Sequence, residues 1–321
     1  MNNKQKPRYI PFWVALVTGV FAVSTASIFI RYAQEDAPSL VIASSRLLIA
    51  AALIFPFAWH QKKEMLAMDR KSFLLMGLSG VILAAHFATW ITSLEFTSVA
   101  SSVVIVTTAP LWVALFSPFL LKEKISGWTF FGIGVSSIGG IIVSVSNACI
   151  FTSGGLLCSD LNFLFQGNSI IGNILALAGA FCSAGYMMIG RRMRSSQSLL
   201  TYTFVVYSTA ALVLFILTLL RGYSFVGYST VTYVWLFLLA IIPQLVGHSA
   251  FNYSLRYAKA SMVSIALLGE PIGTVLLAMF FLRENPTPLE IIGGSLILVG
   301  IFIVSRFEND IGKIVKSDLT R

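Results

Sequence analysis

Residues 255–305, LRYAKASMVSIALLGEPIGTVLLAMFFLRENPTPLEIIGGSLILVGIFIVS, occur a second time in altered form 161 positions earlier. Laid over 94–144 without a gap, this stretch puts Pro271 on Pro110, Glu284 on Glu123, Gly293 on Gly132, Gly300 on Gly139 and the closing IVS on IVS. Shared apolar bias would match leucine and isoleucine, but not a proline, a glutamate and two glycines in one frame. The same offset carries Ala15, Leu16, Ile28 and Arg31 onto Ala176, Leu177, Ile189 and Arg192. The chain reads as a duplication whose copies start near the beginning of each half.

Composition places both copies in a bilayer. Hydrophobic residues make up 57% of the 321, charged residues only 11%, and the mean hydropathy is +0.85, whereas a soluble domain carries about 25% charge. A net charge of +9 could point to nucleic acid, but the basic residues sit in short gaps between apolar runs, which excludes that class. Three cysteines are too few for a disulfide framework, no CxxC or HExxH pattern offers a metal site, and no cofactor is expected. The first apolar run is about 20 residues and lacks a small-residue cleavage site, so it is read as a transmembrane helix rather than a signal peptide.

Cutting the sequence where charge and turn residues cluster predicts ten spans, at 12–31, 38–59, 72–92, 98–121, 127–146, 170–190, 199–220, 231–254, 260–282 and 287–306. The expected fold is an all-α membrane protein of two five-helix repeats, 1–146 and 170–306, joined by an external linker at 147–169 and followed by a cytoplasmic tail at 307–321. With the N-terminus inside, 18 basic residues fall on the inner side and three, Arg31, Arg221 and Arg283, on the outer side, which predicts that both termini are cytoplasmic. Five spans per half is an odd number, so the second half enters upside down. Charge agrees, because outer Glu95 becomes inner Arg256 and inner Lys124 becomes outer Asn285 at matched positions. Inverted repeats of this kind are a recurring architecture of secondary transporters, with the solute site between the repeats near mid-membrane. The linker holds Cys149 and Cys158, which form a disulfide or remain two inert thiols.

These features resemble the EamA-type family of the drug/metabolite transporter superfamily. The resemblance spans 12–306 and rests on the tandem halves, the Gly269-Glu270-Pro271 motif in span nine, the Lys122-Glu123 and Arg283-Glu284 endings, the glycine-spaced spans five and ten, and Arg46 in span two. It implies a multi-pass carrier of the bacterial inner membrane that moves small polar metabolites, such as amino acids and their relatives, by alternating access. Pro110 follows Ala109 rather than a glutamate, so the first half departs from the fuller motif.

The polar residues inside spans are the candidate site. Glu270 lies near mid-membrane, where a charge costs about 2.5–3.5 kcal/mol, so it faces a cavity or a partner; it serves proton coupling or a substrate amine, or it is a structural carboxyl beside Pro271. Arg46 lies at a depth within reach of Glu270 and pairs with it, binds a substrate carboxylate or phosphate, or caps helix carbonyls. His86 and His248, 162 apart, suit a proton relay or are satisfied locally. Trp90, Gln244 and Asn252 line a cavity or bind helices together. Pro110, Pro271, Gly132 and Gly293 are hinge and packing positions, and four-residue stripes of small residues, Gly172-Ala176-Ala180-Ala184, Gly132-Ser136-Gly140 and Thr18-Ala22-Ala26, are expected to be packing faces. The reading favoured is a secondary carrier of a small-molecule substrate, monomeric or a homodimer, with protons as a coupling ion; a membrane-embedded transferase and a channel are the competing readings.

Overall fold

A computed structural model describes residues 10–97, 102, 105–145, 149–152, 155–158, 168–281 and 287–318. Helices α1 (Phe12–Val23), α2 (Ala26–Gln34), α3 (Ser39–Trp59), the short α4 (Lys62–Leu66), α5 (Arg70–Phe96), α6 (Ala109–Leu120) and α7 (Gly127–Val145) lead to a small hairpin, β1 (Cys149–Thr152) and β2 (Gly155–Cys158). Helices α8 (Asn168–Arg194), α9 (Leu199–Leu220) and α10 (Thr230–Leu239) follow, then a π-helical segment (Ala240–His248), α11 (Ser249–Ser254), α12 (Ala260–Ala266), a 3₁₀ turn (Leu267–Gly269), α13 (Glu270–Phe281) and α14 (Pro288–Asp318).

Among the described residues, six helical stretches are long and apolar enough to cross a membrane: Phe12–Gln34, Ser39–Trp59, Arg70–Phe96, Ser169–Arg194, Leu199–Leu220 and Thr230–Ser254. Shorter apolar helices occupy Ala109–Leu120, Gly127–Ile142, Ala260–Thr274 and Ile291–Val304, the places of predicted spans four, five, nine and ten. Large apolar side chains such as Trp13, Phe57, Phe119 and Phe302 point outward and stay more than half exposed. In water they would aggregate; in hydrocarbon they are solvated, and each helix satisfies its own backbone.

Because lipid offers no hydrophobic contrast, the helices are held by close approach at small residues. On α7 and α14 a Cβ added at Gly132 would stand 2.8 Å from the Gly300 carbonyl, and one at Gly139 would stand 2.5 Å from the Gly293 carbonyl. Shifting each residue of one contact by 161 positions produces the other, and Ser136 Oγ donates to the carbonyl of Ile297, its own equivalent, at 3.2 Å. Helix α8 lays Ala176, Ala180 and Ala184 against α5, with Gly172 against Thr97 and Gly179 against Trp90. Helix α1 packs the same way on the π-helical segment and α11, through Gly19 against Phe251 and Val23 against Gly247. Two expected stripes are therefore corrected by one position or more. The α7 seam runs Gly132-Ser136-Gly139, since nothing lies within 4 Å of a Cβ at Gly140. On α1 Thr18 is exposed, and the packed face is Ala15-Gly19-Ala22-Ala26, because the helix turns 3.6 rather than four residues at a time.

Two helices are broken at the same level. Pro271 has no N–H, so the Leu267 carbonyl loses its partner four residues on and accepts the Glu270 N–H instead, which tightens the chain into the 3₁₀ turn. The α1–α2 break sits opposite. Ser24 Oγ donates to the Val20 carbonyl (2.7 Å) and to the Glu270 carbonyl (3.0 Å), and Thr274 Oγ1 donates to the Ser24 carbonyl (3.1 Å). Each break thus lends a hydroxyl to a main-chain carbonyl of the other.

In the hairpin Cys149 stands opposite Cys158; their side chains lie outside the described residues, as do Gly154, Arg283, Glu284 and Asn285. At one end of the bundle Asp36 Oδ2 accepts the Ser229 N–H and the Thr232 hydroxyl, both at 2.8 Å, joining the α2–α3 turn to the start of α10. At the opposite end Glu64 accepts the Ser198 N–H (2.7 Å), and Glu123 accepts from Arg191 (2.7 Å) and from the Ala260 N–H (3.3 Å).

The Asp36 contact yields a pH prediction. The Ser229 N–H, then the Thr232 hydroxyl, hold the Asp36 carboxyl below its ordinary value of 3.8. A depressed folded-state value contributes stability above the ordinary value and loses it as pH falls below. Asp36→Ala is expected to melt below wild type at pH 7, with the gap narrowing as pH falls through 3.8; a gap independent of pH in thermal melts would contradict this.

Candidate functional site

A cavity of about 60 Å³ opens between α3, α5, the π-helical segment, α8 and the broken strand of α12 and α13, with Arg46, His86, Trp90, His248 and Glu270 on its wall. That volume holds a few water-sized groups. The α1–α2 break contributes Val23 and Ala26, and Pro110 and Ser183 also line it.

Arg46 is fully buried on α3. Its Nε donates to Gln244 Oε1 at 2.8 Å, and its guanidinium carbon stands 4.3 Å from the centre of the Phe87 ring. Its Nη1 and Nη2 have no partner, and neither does Nε1 of Trp90. Trp90 stacks on His86 with ring centres 5.8 Å apart and planes 14° from parallel. His86 Nδ1 lies 2.9 Å from the Gly179 carbonyl. A carbonyl only accepts, so Nδ1 carries the proton and a neutral ring leaves Nε2 free to accept. His248 meets the edge of Phe87 at 5.2 Å. Glu270 shares the cavity with Arg46, yet no salt bridge joins them, so the direct pair, one of the three roles open to Arg46 from the sequence, is not formed in this state.

Gln244 and Asn252 stand behind the wall rather than on it. Gln244 fixes Arg46. Asn252 Nδ2 donates to the Tyr186 hydroxyl (2.6 Å) and the Tyr207 hydroxyl (3.4 Å); Tyr207 also lies 3.3 Å from Ser249 Oγ and 3.5 Å from the Gln244 carbonyl. The Asn252 carbonyl accepts from Nε of Arg194, which is 2% exposed. A buried polar column thus runs from Arg46 toward the Arg194 end of the bundle. Sequence reasoning missed Tyr186, Tyr207, Ser249 and Arg194; two tyrosines at mid-span, each needing a hydroxyl partner, were the signal. Pro271 is buried at the helix break, and Gly132 and Gly293 belong to the α7–α14 seam, away from the cavity.

The π-helical segment explains the spacing of the two histidines. His86 and His248 are 162 rather than 161 apart. Widening one stretch of helix absorbs an extra residue without breaking it, and both imidazoles reach one cavity. Pro243 lies inside that stretch, where its missing N–H already weakens the ordinary ladder.

Residues 11–145 and 170–306 each match the EamA-like transporter family. The chain belongs to that family. A transporter of Archaeoglobus fulgidus is 24% identical over 87% of this chain and 91% of its own length, and YcxC, a transporter of Bacillus subtilis, is 24% identical over 92% and 93%. Mouse solute carrier family 35 member G1 is 24% identical over 88% of this chain and 74% of its own length. A crystal structure superposes with a TM-score of 0.74 over 93% of this chain and 97% of that one, at 16% identity, which speaks to fold alone. The chain is a multi-pass membrane transporter of the EamA-like family.

In this EamA-family member the electrostatics of Arg46 are unfinished. A buried guanidinium loses several kcal/mol of hydration. One charge-assisted hydrogen bond returns about 1.5–3 kcal/mol and one ring face about 2 kcal/mol. Gln244→Leu removes the one hydrogen-bond partner that Arg46 has among the described residues, so a loss of about 2–3 kcal/mol in stability is expected. Chemical denaturation in detergent checks it, and Gln244→Glu, which supplies an anion of the same shape, should recover most of that loss.

Proposed function

We propose that the protein is an alternating-access carrier that exports a small polar metabolite, of the size of an amino acid or a related compound, across the bacterial inner membrane. The observation that carries this is the pair Arg46 and Glu270, a base and an acid in one cavity that are not joined to each other. A structural pair would close on itself, since at 4 Å and an effective dielectric of 20 the attraction is about 4 kcal/mol. A binding site keeps both ends open for a solute.

The fold is read as ten spans in two inverted repeats, with both termini cytoplasmic and Cys149–Cys158 outside. The helix pairings support this, because exchange of the two halves turns α5–α8 into α1 with the π-segment, α5–α9 into α3 with the π-segment, and maps the α7–α14 seam onto itself. The cavity then lies between halves that can rock. Glu123 of the first half, tied to Arg191 and Ala260 of the second, closes the cytoplasmic end in this state. Glu270 is the proton-coupling group in this reading, with His86 and His248 beside it as relay partners.

Counterflow in proteoliposomes tests the carrier. With unlabelled amino acids inside, labelled ones outside should accumulate above empty liposomes. Glu270→Gln should keep this exchange but lose accumulation driven by a proton gradient; equal gradient-driven accumulation by wild type and Glu270→Gln would end the coupling role. Uptake without trans-stimulation would favour a channel. For topology, a cysteine introduced at Gly154 in a background lacking Cys149, Cys158 and Cys182 should react with an impermeant maleimide from outside; labelling only after lysis would overturn the orientation.

A further inference from the structure

We infer that the solute carries a carboxylate, docked on the Nη1–Nη2 edge of Arg46 and supported by Nε1 of Trp90. The inference rests on the carrier reading for its site, but its chemistry comes from the unused donors. Three N–H-bearing nitrogens on the cavity wall, Arg46 Nη1, Arg46 Nη2 and Trp90 Nε1, are buried without an acceptor, whereas the other buried groups without a partner among the described residues, Gln244 Nε2, Asn252 Oδ1 and the hydroxyls of Ser44, Ser117 and Ser137, belong to residues off that wall. Both residues line one cavity. A buried donor without a partner costs about 1–3 kcal/mol, more when charged, so three together point to an acceptor that arrives and leaves.

The geometry selects among anions. A guanidinium presents two bidentate edges, and Gln244 Oε1 occupies Nε, which spoils the edge containing it. The remaining Nη1–Nη2 edge matches a planar two-oxygen group. The Phe87 ring lies 4.3 Å from the guanidinium carbon and covers one side of it, which leaves the Nη1–Nη2 edge for a solute. A carboxylate oxygen keeps a second lone pair for the Trp90 N–H. Phosphate, close to a dianion at neutral pH, would set two negative charges beside Glu270 in a cavity of about 60 Å³, where like charges at short range cost several kcal/mol. A cation has no reason to approach Arg46. A single carboxylate is the anionic group that uses the three idle donors of the cavity wall and adds the least repulsion.

Thermal melts of the full-length protein in detergent test this with amino acids, lactate, propionate and other monocarboxylates at millimolar concentration, each beside its methyl ester, and with inorganic phosphate. At least one carboxylate should raise the melting temperature with saturation while its ester does not. Trp90→Phe keeps the ring against His86 and removes only the N–H, so it should weaken that carboxylate about three- to tenfold and leave the ester unchanged. Arg46→Gln, if it folds, should abolish the shift, and Arg46→Lys should recover it only in part because the fork is lost. Stabilisation by the ester or by phosphate equal to the carboxylate, no shift from any carboxylate, or unchanged affinity in Trp90→Phe would overturn the assignment. A carboxylate that binds as expected yet shows no counterflow would leave the site standing and remove the carrier reading instead.

Discussion

A guanidinium held away from water, with no carboxylate touching it, is the constraint around which the rest of the structure is arranged. Arg46 needs an acceptor for Nε, and Gln244 supplies it from a helix 198 residues away in sequence. To bring that amide to the right height, the helix around Pro243 widens into a π-helical segment, and the same widening sets His248 against Phe87. Phe87 in turn forms the floor under the guanidinium. Gln244 is itself steadied by Tyr207, Ser249 and Asn252, so one buried charge recruits a hydrogen-bonded network across four helices. That network leaves Gln244 Nε2 and Asn252 Oδ1 without partners and, on the cavity wall, the far edge of Arg46.

Close packing makes this arrangement possible. A Cβ at Gly179 would crowd Trp90 at 3.3 Å, and without Gly80 the α5 backbone could not approach the Val206 carbonyl, 2.7 Å from where a Cβ would be. These contacts fix α5, which carries both His86 and Trp90. Packing at one face therefore determines the geometry at the other, and dispersion at short range takes the place that hydrophobic burial holds in water.

Much of this was legible in the sequence, for reasons specific to the residues. Periodic apolar runs located the helices, and the doubled Pro110/Pro271 and Gly132/Gly293 frame pointed to repeated halves, since proline and glycine are chosen for backbone geometry rather than hydropathy. Arg46, Glu270, His86, His248 and Trp90 were legible because polar groups inside an apolar run demand an explanation, and all five meet at one cavity. Less visible were the things that depend on rotation about a helix axis: Gly139 rather than Gly140 faces the seam, and Gln244 and Asn252 stand behind the wall. A one-residue change turns a side chain by about 100°, which spacing alone does not resolve. Arg194 was counted as a loop charge because it follows Arg191 and Arg192, yet it folds back beneath Asn252.

The frame that relates the halves also shows where they have parted. At 161 positions from Arg46 stands Tyr207, from Glu270 Ala109, and from Trp90 Phe251. The prolines and glycines that shape the backbone persist in both copies, while the two cavity groups able to bear opposite charges, Arg46 and Glu270, each survive in one. An ancestor assembled from two identical subunits would have carried two arginines and two glutamates around its axis, or none. Fusion into one polypeptide removed that obligation. Each copy then became free to lose what the other retained, and the present chain can no longer be rebuilt from a pair of either half, because Arg46 and its acceptor Gln244 were inherited on opposite sides of the join.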